Sequence, residues 1–104
     1  SEAGKRMSQC ARKGRLFKEK PFVLGLPQDE ELVLVQGIID VYFEEEDGLV
    51  VLDYKTDRVR EAKELVEKYH AQLDYYAQAL EQLTEKKVKQ KIIYSFTLQE
   101  EIIL

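Results

Sequence analysis

Apolar and polar residues alternate along residues 31–45, and this period of two predicts a long β-strand. One face of that strand would carry Val33, Val35, Gly37, Ile39, Val41 and Phe43. The other face would carry Leu32, Leu34, Gln36, Ile38, Asp40, Tyr42 and Glu44. Asp47-Gly48 is a strong hairpin signal, so residues 49–57 are expected to return as the next strand. Its first face would carry Leu49, Val51, Asp53, Lys55 and Asp57.

The register of this hairpin sets how close the charged side chains come. With Asp47-Gly48 as a two-residue loop, Asp40 falls opposite Lys55 and diagonal to Asp53. A four-residue loop would instead place Asp40 directly opposite Asp53. Both registers keep the three charges on one face, whereas a β-bulge would break the alternation. The sequence leaves both registers and a bulge open.

Helical spacing appears at two places. Residues 2–13 predict a short basic helix that stops at Gly14, and residues 60–86 predict a long one. The apolar stripe of the long helix is expected to contain Leu65, Tyr69, Gln72, Tyr76, Ala79 and Leu83. Gln72 is the only polar member of that stripe.

Two further strands complete the pattern. Residues 16–26 predict a first strand, in which Pro21 indicates an edge position or a bulge, and Pro27 to Glu30 predict a turn. Residues 88–98 predict a last strand, and residues 100–104 either continue it or start another element. The order α-β-β-β-α-β predicts an α/β (α+β) fold, a short mixed sheet flanked by helices.

Composition limits the class of protein and the cellular compartment that are expected. A chain of 104 residues with 44% apolar residues is expected to form one domain, residues 1–104. The single cysteine, Cys10, excludes an internal disulfide and a zinc cluster, which favours a reducing compartment. No apolar run is long enough to cross a bilayer and no signal peptide is visible, so we expect a soluble, cytoplasmic protein without membrane contact.

Charge is unevenly distributed. Net charge is −4, yet the first twenty residues hold seven of the 16 Lys and Arg residues. A basic end on an acidic body predicts either contact with a polyanion or a solvated helix surface.

The candidate chemistry lies in the charged residues inside apolar strands. Two neighbouring carboxylates, Asp40 and Asp53, repel each other, and a divalent cation removes that conflict. Ligation by oxygen alone favours Mg²⁺ or Mn²⁺, and Lys55 would add a positive charge beside the metal. The alternative is a partly exposed salt bridge of little energetic value. Gln72 and Tyr76, four residues apart on one helix face, either support the site or are ordinary buried residues.

Taken together, three segments resemble the RecB-type nuclease domain, a branch of the PD-(D/E)XK superfamily, and most closely its AddA-type (RexA-type) members. The segments are Gly37-Ile38-Ile39-Asp40, Asp53-Tyr54-Lys55-Thr56-Asp57-Arg58 and Gln72 through Tyr76. Glu19-Lys20-Pro21-Phe22 and Ile92-Ile93-Tyr94-Ser95-Phe96 extend the resemblance over roughly residues 5–98.

The resemblance implies a restriction-endonuclease-like core and a set of roles. Asp40 and Asp53 would bind Mg²⁺, with Mn²⁺ as a substitute, and Lys55 would complete the catalytic set. Gln72 and Tyr76 would mark an exonuclease, supported by Thr56 and Arg58 as neighbours of DNA. The implied activity is Mg²⁺-dependent hydrolysis of DNA during recombinational repair of double-strand breaks. The implied partners are DNA, the helicase part of an ATP-binding parent chain, and a second subunit of the AddB (RexB) type.

One feature departs from the resemblance. RecB-type members carry a metal-binding histidine upstream of the first aspartate, but no histidine precedes Asp40 here. His70 lies about 200° around the helix from Gln72, so we expect it to point away from the site. The departure indicates a fragment of a larger helicase–nuclease that is inactive alone, or else a catalytically incomplete DNA-binding or docking module.

Overall fold

The computed structural model describes residues 1–104 and forms one five-stranded sheet with a helix on each face. The elements are α1 (Glu2–Arg12), β1 (Leu16–Gln28), β2 (Glu31–Glu45), β3 (Gly48–Lys55), α2 (Ala62–Thr84), β4 (Val88–Ser95) and β5 (Glu100–Ile103). The strands lie in the order β1-β2-β3-β4-β5, and only β3 and β4 are parallel. The predicted α+β class and element order are confirmed, and residues 100–103 form a further strand.

Strand β3 lies at the centre of the sheet and is apolar on both sides. Leu49 and Val51 belong to the hydrophobic cluster on the face of the sheet that α2 covers, called here the α2 core. Val50 and Leu52 belong to the cluster on the face that α1 covers, called here the α1 core. Helix α2 supplies the crossover that a parallel β3–β4 pair requires. Its residues Leu65, Leu73, Tyr76 and Leu80 are buried in the α2 core. Leu83, which the predicted stripe included, is 58% exposed in the last turn of the helix.

Neither helix combines the length and the apolar composition that a membrane span requires.

Helix α1 is attached to its face of the sheet by small buried residues and by one bidentate ion pair. Ala3 and Cys10 are buried in the α1 core. Arg6 donates from Nε to Glu45 Oε2 at 3.0 Å and from Nη2 to Glu45 Oε1 at 2.7 Å. The helix ends at Arg12, and Gly14 follows with a φ of 69°, as its position predicted.

We expect Glu45→Gln to destabilise the fold at neutral pH and to have little effect near pH 2. The hydrogen bond from Arg6 lowers the pKa of Glu45 from 4.5 to about 2. The ionised carboxylate therefore stabilises the folded state above pH 4.5, and this contribution is lost as the pH falls toward 2. Both side chains are about a fifth exposed, so solvent screening limits the loss to about 1–2 kcal/mol at pH 7.

Urea denaturation at several pH values measures this effect. Glu46→Gln is the matched control, because Glu46 is an exposed neighbour that makes no ion pair. An equal loss of stability at pH 7 and near pH 2 would contradict the expectation.

The turn between β2 and β3 lies one residue earlier than predicted. Glu46 and Asp47 form the turn, and Gly48 is already the first residue of β3, paired with Glu45. Gly48 has a φ of 151°, and a Cβ there would lie 2.9 Å from the carbonyl oxygen of Lys87. Glycine is therefore needed for the approach of the α2–β4 connection, not for the turn itself. The register that results pairs Val41 with Leu52, and Asp40 and Asp53 are the next residues along the two strands, as the second alternative expected, although the turn has two residues and not four.

The period-two alternation of β2 breaks at Asp40, so the prediction that Ile39 and Val41 share one face of the strand is wrong. Ile39 and Tyr42, three residues apart, both pack in the α2 core, whereas Val41 packs in the α1 core. The β1–β2 pairing leaves out Asp40 and the residue facing it, Glu19, which has a φ of 51°. This irregularity lies next to the candidate charges, as bulges beside functional sites often do.

Candidate metal and phosphate site

The candidate site is formed where β2 and β3 meet the middle of α2. Asp53, near the end of β3, is only 2% exposed, and Ser95 is the one other buried polar residue. The Asp40 carboxylate accepts a hydrogen bond from the backbone N–H of Tyr54 at 3.0 Å. It is also close enough to the Asp53 carboxyl group to raise the pKa of that group. The two carboxyl groups therefore meet, although Asp40 lies at the alternation break.

Asp53 carries most of the electrostatic cost of this arrangement. Burial, followed by the neighbouring Asp40 carboxylate, raises the pKa of Asp53 to about 6, and Lys55 partly opposes that rise. Lys55 Nζ lies 2.7 Å from Asp53 Oδ2. That contact lacks hydrogen-bond geometry, so Asp53 Oδ2 is buried without a hydrogen-bond partner. A buried carboxylate oxygen in this state is under-coordinated and can accept a further positive ligand.

Lys55 is held in place by three contacts. Besides Asp53, its Nζ donates to Gln72 Oε1 at 2.8 Å. Nζ also lies 3.9 Å from the centroid of the Tyr69 ring, a cation–π contact. Sequence reasoning missed this role for Tyr69, although its position three residues before Gln72 puts both on one helix face.

Tyr76 closes the inner side of the site. It is 6% exposed, and burial together with the Asp53 and Asp40 carboxylates raises the pKa of Tyr76 to about 12. Its ring packs edge to face on Phe22, with centroids 5.4 Å apart. A Cβ at Gly37 would lie 3.1 Å from the Phe22 ring and 4.0 Å from the Tyr76 ring. Gly37 thus leaves the room that the Phe22 ring occupies, whereas Tyr76 would be in ordinary contact with a side chain there.

The remaining candidates lie outside this cluster. Thr56 and Arg58 follow β3, are exposed, and make no side-chain hydrogen bond or ion pair. Asp57 instead accepts hydrogen bonds from Lys68 and from the Tyr69 hydroxyl, and these contacts lower the pKa of its carboxyl group. His70 is exposed on α2 and joins no group of metal-binding side chains.

The donor set fits a hard divalent cation. Asp40 and Asp53 present two carboxylates, one of which has an oxygen without a hydrogen-bond partner. The chain has no group of three or more His, Cys, Asp or Glu side chains arranged for a metal. Mg²⁺ is commonly bound through one or two carboxylates, with water and substrate phosphates completing its shell. The donor set is therefore compatible with such a cation, for which water or a substrate phosphate would supply the remaining ligands.

Comparisons with known proteins agree with this chemistry. Residues 3–102 match the PD-(D/E)XK nuclease superfamily. The chain is 40% identical over 145 residues to the A subunit of the ATP-dependent helicase/nuclease from Lachnoclostridium phytofermentans, covering 98% of the chain and 10% of that relative. It is 42% identical over 116 residues to the protein of the same name from Clostridium novyi, covering 98% of the chain and 9% of that relative. The chain thus spans about a tenth of the length of the curated relatives it matches.

Proposed function

The chain belongs to the PD-(D/E)XK nuclease superfamily, and from that premise we propose that it is the Mg²⁺-dependent DNA-cleaving module of a helicase–nuclease. One observation carries the proposal: the buried Asp53 carboxylate lies beside the second carboxylate of Asp40, and its Oδ2 makes no hydrogen bond although the Lys55 ammonium group lies 2.7 Å away. Holding two such groups together costs free energy in the absence of a cation, and functional sites commonly bear such a cost.

In this proposal, Asp40 and Asp53 are the metal ligands and Lys55 is the third catalytic residue. Bound Mg²⁺, or Mn²⁺ as its substitute, would activate water and stabilise negative charge on the phosphate. The Lys55 ammonium group adds a fixed positive charge that stabilises the same developing charge. Gln72 and the Tyr69 ring orient that ammonium group before any substrate arrives.

The supporting residues act around this centre. Tyr76 is buried close enough to both carboxylates for them to raise its pKa, and we propose that its ring limits access of water to Asp53. Thr56 and Arg58 are exposed where β3 ends, and we propose that they contact the DNA backbone. An exposed guanidinium group is well suited to a phosphate, because its planar donors can bind two oxygens at once.

A wider proposal, about the larger protein that would contain this chain, rests on the names of the relatives. Both are helicase/nuclease subunits about ten times longer than this chain, which supports residues 1–104 as one nuclease domain within a larger polypeptide. We propose that the parent is an exonuclease that processes double-strand DNA ends for recombinational repair in the cytoplasm. Its partners would be DNA, its own helicase part and a second subunit of the AddB (RexB) type.

We expect Asp40→Asn to weaken Mn²⁺ binding about 10- to 100-fold, because one of two charged ligands is lost. Electron paramagnetic resonance of free Mn²⁺ measures the affinity directly. Asp57→Asn is the control, since Asp57 is already paired with the Lys68 ammonium group and accepts a hydrogen bond from the Tyr69 hydroxyl. In the parent helicase–nuclease, Asp40→Asn should also abolish Mg²⁺-dependent cutting while unwinding continues. Unchanged Mn²⁺ affinity would refute the assignment of Asp40.

A second function is a DNA-binding or docking module without catalysis. The exposed basic residues of α1 and the segment after it favour DNA binding: Lys5, Arg12, Lys13, Arg15 and Lys18. This alternative expects DNA binding that falls steeply with salt, but no Mg²⁺-dependent product even from the intact parent. Cutting that disappears in the Asp40→Asn parent would exclude it.

A further inference from the structure

Asp57 lies outside the carboxylate pair, beyond the end of β3 at Lys55, yet a single side chain connects it to Lys55. Its carboxylate accepts a hydrogen bond from the Tyr69 hydroxyl, which lies 2.8 Å from Oδ2 and 3.0 Å from Oδ1. Lys55 Nζ lies over the same ring, 3.9 Å from its centroid. We propose that Asp57 is a positioning residue, which holds the ammonium group of Lys55 in place through the Tyr69 ring.

Asp57 is itself fixed by two other contacts. Lys68 Nζ donates to Asp57 Oδ2 at 2.7 Å, from the same helix that carries Tyr69. The Thr97 hydroxyl donates to the Asp57 carbonyl oxygen at 2.7 Å, from the turn that follows β4. The carboxylate is therefore held relative to both α2 and the sheet, and it can serve as an anchor for the Tyr69 hydroxyl.

The hydrogen bond acts on the Tyr69 ring in two ways. A carboxylate acceptor makes a strong hydrogen bond, so it fixes the position of the hydroxyl and, with it, the position of the ring. Negative charge beside the hydroxyl also makes the ring more electron-rich, and a cation is attracted to the negative face of a ring. Lys68 Nζ lies 5.1 Å from the centroid of this ring, so Lys55 makes the closer of its two cation–π contacts.

Lys55 needs such a support because its strongest partner is a proposed metal ligand. Its Nζ lies 2.7 Å from Asp53 Oδ2 and 2.8 Å from Gln72 Oε1. The inference rests on the proposed function: a cation bound at Asp53 would compete for that carboxylate and would repel the ammonium group. The contacts with Gln72 and with the Tyr69 ring involve no metal ligand, so they can retain Lys55 in that state.

NMR of the chain labelled with ¹³C-lysine tests the position of Lys55 without metal or DNA. Protons over the face of an aromatic ring are shifted to high field by its ring current. The methylene group next to Lys55 Nζ should therefore give a high-field resonance, identified by its absence in Lys55→Arg. Asp57→Ala and Tyr69→Phe should each reduce this shift, and Tyr69→Leu should abolish it. An ordinary resonance in the unaltered chain, or a shift that Asp57→Ala leaves unchanged, would overturn the proposal.

Cutting of DNA by the parent helicase–nuclease gives the second measurement. Asp57→Ala and Tyr69→Phe should each lower kcat about 3- to 10-fold with little change in KM, because one hydrogen bond to a charged group is lost. The double variant should lower kcat no further than either change alone, since both remove the same hydrogen bond. Additive effects would contradict the connection through Tyr69. Mn²⁺ affinity should be unchanged in all three variants, which distinguishes a positioning residue from a metal ligand.

Glu44→Ala is the matched control. Glu44 is similarly exposed and forms a similar ion pair, 2.6 Å from Lys86 Nζ, but it contacts neither Tyr69 nor Lys55. Its replacement should leave the Lys55 resonance and kcat unchanged. A parent that cuts DNA equally well with Asp57→Ala would overturn the role of Asp57 and leave the nuclease proposal standing. A parent that cuts no DNA at all would overturn the nuclease proposal and the catalytic role of Asp57 with it.

Discussion

Asp53→Asn is expected to abolish DNA cleavage and, at the same time, to make the fold more stable. Loss of a metal ligand should lower cutting by the parent helicase–nuclease about 10³-fold, since a bound cation contributes several kcal/mol to the reaction. The domain itself should gain about 1–3 kcal/mol at pH 8, because the amide removes a buried charge that faces Asp40.

The sign of this gain follows from the raised pKa. Folded Asp53 keeps its proton up to about pH 6, whereas the unfolded carboxyl loses it near its ordinary value of 3.8. The folded state of the unaltered chain therefore loses stability as the pH rises from 4 to 6, and that loss persists above pH 6. Asp53→Asn should remove this dependence. Urea denaturation of both proteins between pH 4 and 8, without divalent cations, measures the difference.

Binding of a divalent cation should likewise stabilise the folded state of the unaltered chain. Mg²⁺ should raise its stability at pH 8 and should leave Asp53→Asn unchanged, because ligands that bind only the folded state stabilise it. A destabilised Asp53→Asn protein would show that the Lys55 contact outweighs repulsion by Asp40, contrary to this expectation.

Lys55→Met is expected to abolish cleavage as well, but to destabilise the fold. Removing the cation leaves Asp53 buried beside Asp40 without any neutralising partner, a change that costs about 3 kcal/mol in comparable pairs. The loss should be largest at pH 8 and smaller near pH 5, where Asp53 takes up a proton instead. Thermal denaturation at the two pH values measures it.

Lys68→Met is the control for this change. The Lys68–Asp57 ion pair has the same 2.7 Å separation, but Lys68 is 62% exposed, so its loss should have little effect. The double variant Asp53→Asn/Lys55→Met should recover most of the stability that Lys55→Met loses, because the two changes are coupled. Strictly additive effects would mean that the two side chains do not interact as the structure indicates. Mn²⁺ affinity should survive Lys55→Met, which separates the lysine from the ligands.

Opposite effects of two catalytic variants on stability would fit a site selected for function. Asp53 is held ionised at a cost, and Lys55, Gln72 and Tyr69 reduce that cost without removing it. The remainder is available to bind a cation.

Several elements of the fold were predictable from local patterns. The period-two alternation of β2 and the apolar stripe of α2 predicted both elements within a few residues. Pro21 predicted an edge position or a bulge, and β1 is at the edge of the sheet. These predictions succeeded because burial on one face of an element imposes the period of that element on the sequence.

Other details depended on segments far apart in the chain. The turn at Glu46 and Asp47 was displaced from the Asp47-Gly48 signal, because Gly48 is required by the approach of Lys87. The alternation break at Asp40 lies opposite Glu19 on β1. Glu19 has a left-handed backbone conformation, which a glutamate in a strand does not predict. Neither Lys87 as the neighbour of Gly48 nor Glu19 as the neighbour of Asp40 can be predicted from the local sequence pattern.

The sequence by itself determined the charged groups, their position in apolar strands, the order of the elements and the superfamily. Only the tertiary structure decided that Asp53 Oδ2 makes no hydrogen bond although Lys55 Nζ lies 2.7 Å away, that Tyr69 holds Lys55, and that the rings of Tyr54 and Phe96 stack. The physical reason is that periodicity records which face of an element is buried. Desolvation and charge coupling depend instead on which other elements lie across that face.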